Sequence, residues 1–154
     1  MYINHIFKRY KLKIEDNRIY DPIRKKFVAL TPEERVRQKT LKYMIQRMKV
    51  PADKIGVEKS LSSLGDIGNR KRVDICIWGP DEEILAIIEC KAGDTAGWDS
   101  PYIQAIDYVE SLHVLNYFVV DEWDINGYHY NSNRCQFDPI EDIPTYEELL
   151  TMND

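Results

Sequence analysis

The chain has 154 residues, the usual size of one folded domain, and its 44% apolar and 11% aromatic content fits a packed core rather than a disordered or collagen-like chain. Its longest apolar run, Ile84 to Ile88, is five residues, far short of the roughly 20 a membrane-spanning helix needs, and Lys8, Arg9, Lys11 and Lys13 interrupt the N-terminus where a signal peptide would be apolar. The net charge of −5 hides a segregation: residues 1–72 carry 19 Lys and Arg against 8 Asp and Glu, and residues 73–154 carry 2 against 18, so a basic face can still meet nucleic acid.

A soluble, cytoplasmic protein with no membrane partner is expected. Cys76, Cys90 and Cys135 lack C-x-x-C spacing, which excludes a disulfide framework and a cysteine zinc site. Residues 1–30 mix aromatic and basic side chains and break at Asp21-Pro22, as a short hairpin or extension would. Thr31-Pro32-Glu33-Glu34 is a helix start, with Thr31 as N-cap and Glu34 as the capping-box acid. The helix is predicted to run to about Met48, with Val36, Leu41, Met44, Ile45 and Met48 inside and Arg35, Arg37 and Lys39 among the polar remainder.

A strand over 55–61, a loop over 62–69 and a hairpin of strands 72–78 and 84–91 follow. A loop spans 93–100, and Ser100-Pro101 opens a second helix. There Gln104 and Tyr108 share one face, while Ile103, Ile106 and Val109 turn toward the sheet. A strand over 114–120, a turn at Asn126-Gly127, Tyr128 to Tyr130 and a short helix over 147–152 complete the chain. The expected fold is α/β (α+β), a central mixed sheet flanked by helices in the order α-β-β-β-α-β. It forms one domain over 1–154, with a core of about 31–130 and a tail over 131–154.

Centring the hairpin turn between Asp81 and Glu82 places Arg72 opposite Lys91, Asp74 opposite Glu89, Cys76 opposite Ile87 and Trp78 opposite Leu85, all on one face. The other face, Val73, Ile75, Ile77, Ala86, Ile88 and Cys90, is apolar. Two carboxylates about 5 Å apart repel by roughly 3 kcal/mol at an effective dielectric near 20, and a divalent cation removes that cost. Ligands that are all oxygen favour Mg²⁺ or Mn²⁺ over zinc. The alternative is a closed ion-pair quartet, Asp74 with Arg72 and Glu89 with Lys91. The run Asn69-Arg70-Lys71-Arg72 beside Asp74 is placed to hold backbone phosphates, or is a solvated charge run. His5, His113 and His129 show no ligand spacing, and Cys76 and Cys90 read as small buried hydrophobes.

Asp74 followed by Glu89-Cys90-Lys91, on a hairpin between two helices, resembles the PD-(D/E)XK nuclease superfamily. Together Pro32-Glu33-Glu34-Arg35-Val36-Arg37-Gln38, Lys71-Arg72-Val73-Asp74-Ile75, Ile88-Glu89-Cys90-Lys91-Ala92 and Gln104-Ala105-Ile106-Asp107-Tyr108 resemble the N-terminal nuclease domain of type I restriction enzyme R subunits, over about residues 15–130. The resemblance implies a restriction-endonuclease-like core and a Mg²⁺- or Mn²⁺-dependent DNA endonuclease. Asp74, Glu89 and the carbonyl of Cys90 would hold the metal, Lys91 would be catalytic, and Gln104 with Tyr108 would support the site. Val73 stands where the wider superfamily has proline.

Glu34 matches the position from which a first-helix glutamate reaches the metal, while Glu33 points elsewhere, toward solvent. Glu58 is expected to pair with Arg72 or Lys91. Arg70, Lys71, Arg72 and Tyr108 are the expected DNA contacts. The sequence contains no G-x-x-x-x-G-K-[ST] motor loop, so the chain reads either as a small stand-alone relative or as a fragment of something longer; the expected protein partner is a second copy of the chain, or a translocase or modification partner if it is part of a larger system. The competing reading is a nucleic-acid-binding or protein-interaction module that keeps the nuclease fold without catalysis.

Overall fold

The computed structural model describes residues 1–93 and 101–153. The predicted loop over 93–100 and the Ser100 cap therefore fall largely outside the described residues. Helix α1 (Asn4–Phe7) and three short strands, β1 (Ile14–Glu15), β2 (Arg18–Asp21) and β3 (Lys26–Ala29), come first. They form a three-stranded antiparallel sheet where the sequence suggested a hairpin. Ile3, Phe7 and Ile19 of this segment are buried, and Ile3 and Phe7 join the core cluster that packs with α2.

Helix α2 (Pro32–Gln46) starts as its sequence dictates: the Thr31 hydroxyl accepts the Glu34 amide at 3.0 Å and Pro32 takes the first helical position. Val36, Leu41 and Met44 are buried, whereas Ile45 is at the surface. A 3₁₀ turn leads into β4 (Ile55–Ser60), the one-turn helix α3 (Leu61–Leu64), β5 (Arg72–Trp78) and β6 (Ile84–Cys90). Helix α4 (Pro101–Leu112) carries the chain across to β7 (Asn116–Val120), then β8 (Ile125–Asn131), β9 (Gln136–Ile140) and α5 (Tyr146–Met152) close the fold. The six strands lie in the order β4-β5-β6-β7-β8-β9, with β6 and β7 parallel and every other pair antiparallel. The architecture is thus mixed α/β, a mixed sheet with helices on its faces, as the sequence indicates.

Two apolar clusters fill the two sides. Ile75, Ile77, Ala86, Ile88 and Cys90 pack with α2, and Cys76 and Ile87 pack with Ala105 and Tyr108 of α4. Hairpin partners Ile75↔Ile88, Cys76↔Ile87 and Ile77↔Ala86 follow the expected register. A bulge then slips it, and Trp78 pairs with Ile84 instead of Leu85. Val73 also departs from expectation and joins the α4-side cluster.

Three further expectations are corrected. Helix α4 is rotated relative to its sequence reading: Ile103 is 58% and Ile106 44% exposed, while Ala105 and Tyr108 are inside. The hydroxyl of Tyr108 explains the preference, because it has a buried acceptor to reach. Asn126-Gly127 lies within β8 rather than in a turn; the turn is made by Asp121, whose carboxylate accepts the amides of Trp123 and Asp124. Glycine is needed at 127 because a Cβ there would stand 2.6 Å from the Phe118 ring. Residues 131–154, read as a tail, supply the sheet's edge strand β9 and helix α5, whose Leu149 is fully buried.

Candidate active site

The ends of β5 and β6 that point away from the 79–83 turn bring Asp74 and Glu89 together, Asp74 against Arg37 of α2 and Glu89 against Tyr108 of α4. The two acids are 7% and 6% exposed, and their carboxyl groups are hydrogen-bonded to one another. Each is further held. The Cys90 amide donates to one Asp74 oxygen at 2.8 Å and an Arg37 Nη to the other at 2.6 Å, while the Tyr108 hydroxyl donates to Glu89 at 2.6 Å.

Burial, and then the Asp74 charge, push the Glu89 carboxyl up to about 8. Asp74 goes the other way: burial opposes its ionisation, but hydrogen bonds from Glu89, Arg37 and the Cys90 amide outweigh it and hold the carboxyl below its ordinary value. The two values are thus driven apart, Asp74 favouring its charged form beside Arg37 and Glu89 its protonated one.

Arg37 is the residue that the sequence reading misplaced. Counted with the solvated face of α2, it is 7% exposed and lies among acids from three elements. Its guanidinium bonds Glu34, Glu58 at 2.7 Å, Asp74 at 2.6 Å and Glu33 at 3.3 Å. Its Nε is buried without a partner among the described residues. A signal for this was present: stepping back along α2 from Met48, Met44 and Leu41 by three or four residues leads to Arg37, Gln38 and Glu34, so the buried stripe continues into polar residues.

Glu34, the predicted metal acid of the first helix, is 3% exposed. Its carboxylate is gripped by Arg37 and Arg24. Glu33 is exposed, as expected, and its carboxylate reaches the edge of the cluster at 3.3 Å from the Arg37 guanidinium; partial desolvation and the neighbouring Asp74 raise its carboxyl.

Glu58 adopts a φ of 56° in the middle of β4, a left-handed conformation that a strand residue takes only when its surroundings enforce it. Its carboxylate lies between Arg37 and Arg72, the latter at 3.8 Å. Glu58 thus pairs with Arg72, as expected, and the Asp74–Arg72 pair of the alternative quartet is not found among the described residues, where Arg37 meets Asp74 instead.

Lys91 is half-buried and its charge is felt by both Glu89 and Glu33. Gln104 accepts from the Tyr117 hydroxyl at 3.0 Å, and the Tyr117 ring lies 5.8 Å from that of Tyr108; Gln104 thereby braces the tyrosine that holds Glu89. Arg70, Lys71 and Arg72 are all exposed. Tyr108, also expected to touch DNA, is only 1% exposed and serves Glu89 instead. Its ring carries the Lys71 ammonium at 5.6 Å above a cleft of about 370 Å³ shared with Asn69 and Asp107.

Among the described residues no group of three or more His, Cys, Asp or Glu side chains forms a ready-made metal cage. The donors that suit a hard divalent cation are the two paired carboxylates and a backbone oxygen next to them. Their mutual repulsion, which raises the Glu89 carboxyl, is what such a cation would relieve.

No match was found among curated proteins or among solved structures. Among the described residues no helix is long and apolar enough to cross a membrane. A family model described as Type I restriction enzyme R protein N terminus (HSDR_N) matches residues 32–144, a stretch that runs from α2 through β9 and contains Asp74, Glu89, Lys91 and Gln104. The chain belongs to the family of type I restriction enzyme R protein N termini.

Proposed function

We propose that this chain is a PD-(D/E)XK-type, divalent-metal-dependent DNA endonuclease domain that hydrolyses phosphodiester bonds and works within a larger restriction system. The observation that supports this most is the buried Asp74–Glu89 pair, one carboxyl raised to about 8, beside a half-buried lysine two residues after the glutamate. Asp74, Glu89 and the carbonyl of Cys90 would hold Mg²⁺ or Mn²⁺, which supplies Lewis acidity and a more acidic water.

The rest falls to the chain. Tyr108, braced through Tyr117 and Gln104, fixes one Glu89 oxygen, and the Cys90 amide and Arg37 fix Asp74. Lys91, which cannot ligate a cation while charged, positions the attacking water or stabilises charge on the phosphate. Exposed Arg70, Lys71 and Arg72 approach the backbone next to Asp74. DNA is the substrate in this reading, and a DNA-translocating or modification subunit, or a second copy, is the partner.

One observation favours the non-catalytic alternative. Arg37 already neutralises Asp74, so the cluster can persist as a closed structural ion network. Replacing Lys91 by alanine separates the two: the nuclease reading expects cleavage of plasmid DNA to fall by at least about a hundredfold with folding and Mn²⁺ binding kept. Loss of folding in that variant supports the network reading instead.

A further inference from the structure

Residues 1–31 lie outside the family match, yet they carry a dense set of basic side chains. Between residues 8 and 26 stand eight Lys and Arg against three acids. Arg24 and Asp21 are spent inward on each other. The other seven cations, Lys8, Arg9, Lys11, Lys13, Arg18, Lys25 and Lys26, are exposed, and among the described residues none of them forms an ion pair.

Strand alternation decides what accompanies them. In β2, Ile19 and Asp21 are fully buried, so Tyr20 and its cross-strand partner Phe27 point outward. The two rings meet edge to face at 5.4 Å. Lys13 lies over both, at 5.2 and 5.5 Å, and Arg18 lies 5.8 Å from the Phe27 ring. The Tyr20 amide, bonded to the Lys13 carbonyl at 2.9 Å, fixes that arrangement.

The sheet's core is already served by Ile19, so an outward aromatic pair adds no interior packing. It offers π-faces for bases, with uncompensated cations beside them for phosphates. The element is also anchored beside the candidate active site: Arg24 joins Asp21 to Glu34, and Arg37 joins Glu34 to Asp74.

We propose that the outer face of the β1–β2–β3 sheet binds single-stranded nucleic acid, a base stacking on Tyr20 and Phe27 while Lys13 and Arg18 turn from the rings to flanking phosphates. The inference deepens the nuclease reading by assigning the surface that holds an unpaired strand next to the acids. Its test needs neither metal nor cleavage. Binding of fluorescein-labelled oligo-deoxythymidine and of a duplex is followed by anisotropy in EDTA across a salt series, using the full chain.

Lys13→Glu with Arg18→Glu should weaken single-strand binding at least about tenfold and flatten the salt slope, each lost phosphate contact removing about 0.7 from it. Tyr20→Leu with Phe27→Leu, which keeps apolar volume, should weaken single-strand binding severalfold while leaving duplex binding and the salt slope nearly unchanged. Circular dichroism checks that both variants fold. Wild-type chain that binds no oligonucleotide, ring variants that bind like wild type, or polyglutamate competing as well as the oligonucleotide would each overturn the proposal. Loss of cleavage with this binding intact would count against the nuclease reading alone.

Discussion

Arg37 carries the largest local consequence of any single side chain. Removing it leaves Glu34 and Asp74, both under 10% exposed, without their shared cation, and stranding a buried charge in this way costs about 3–5 kcal/mol. Arg37→Met is therefore expected to lower unfolding free energy by that amount in urea titrations, while Arg35→Met on the exposed side of α2 should change it by less than about 0.5 kcal/mol. Glu89 makes a second prediction. Its carboxyl rises from an ordinary value of 4.5 to about 8, so the folded state holds a proton that the unfolded chain releases earlier. That contribution is complete below about 4.5 and is lost as pH climbs through about 8, so in EDTA stability should fall across this window. Glu89→Gln should flatten the decline; a wild-type curve already flat there would show that the Glu89 carboxyl is not raised. Asp74, with its value depressed, acts oppositely: its contribution is present above 3.8 and disappears as pH drops through the folded value.

Elements were more legible than the faces they turn. Helix α2 announces itself by Thr31-Pro32, and the expected hairpin register holds from Ile75↔Ile88 to Ile77↔Ala86 despite a bulge beside the turn, so the neighbourhood of Asp74 and Glu89 was legible in the sequence. The facing of α4 was not, because hydrophobicity favours Ile103 and Ile106 whereas the buried Glu89 takes its hydrogen bond from Tyr108. A polar requirement at the site overrode the apolar stripe. The same applies to Arg37, which reads as a surface cation until the acids around it are brought in from β4 and β5. Asn126-Gly127 misled for a different reason: glycine there answers the close approach of Phe118 rather than a turn. Gly127→Ala should accordingly destabilise by about 1–3 kcal/mol through overpacking, measured as a lowered urea midpoint with unchanged slope. An unaffected midpoint would mean that β7 and β8 can separate enough to admit a methyl group.

For the whole molecule, charge segregation and the acid pair combine into one functional picture. The basic half supplies α2, the exposed β1–β2–β3 sheet and the Arg70 to Arg72 run, and the acidic half supplies Glu89 and most of the remaining sheet. Binding to unrelated duplex sequences should be of similar strength and should weaken steeply with salt, since phosphate contacts release counterions and the sequence carries no recognition-helix or finger motif. Replacing Arg70 and Lys71 by alanine should lower the salt slope by up to about two units; strong preference for one sequence would place recognition elsewhere. The central claim is that Asp74 and Glu89 form a divalent-metal site that drives phosphodiester hydrolysis. It is tested most directly by calorimetric titration of Mn²⁺ into wild-type and Asp74→Asn chains, with plasmid cleavage followed in the same samples before and after EDTA. The account predicts one binding event and EDTA-sensitive nicking in the wild type and neither in the variant; equal Mn²⁺ binding by both chains, or nicking that survives EDTA, would contradict it.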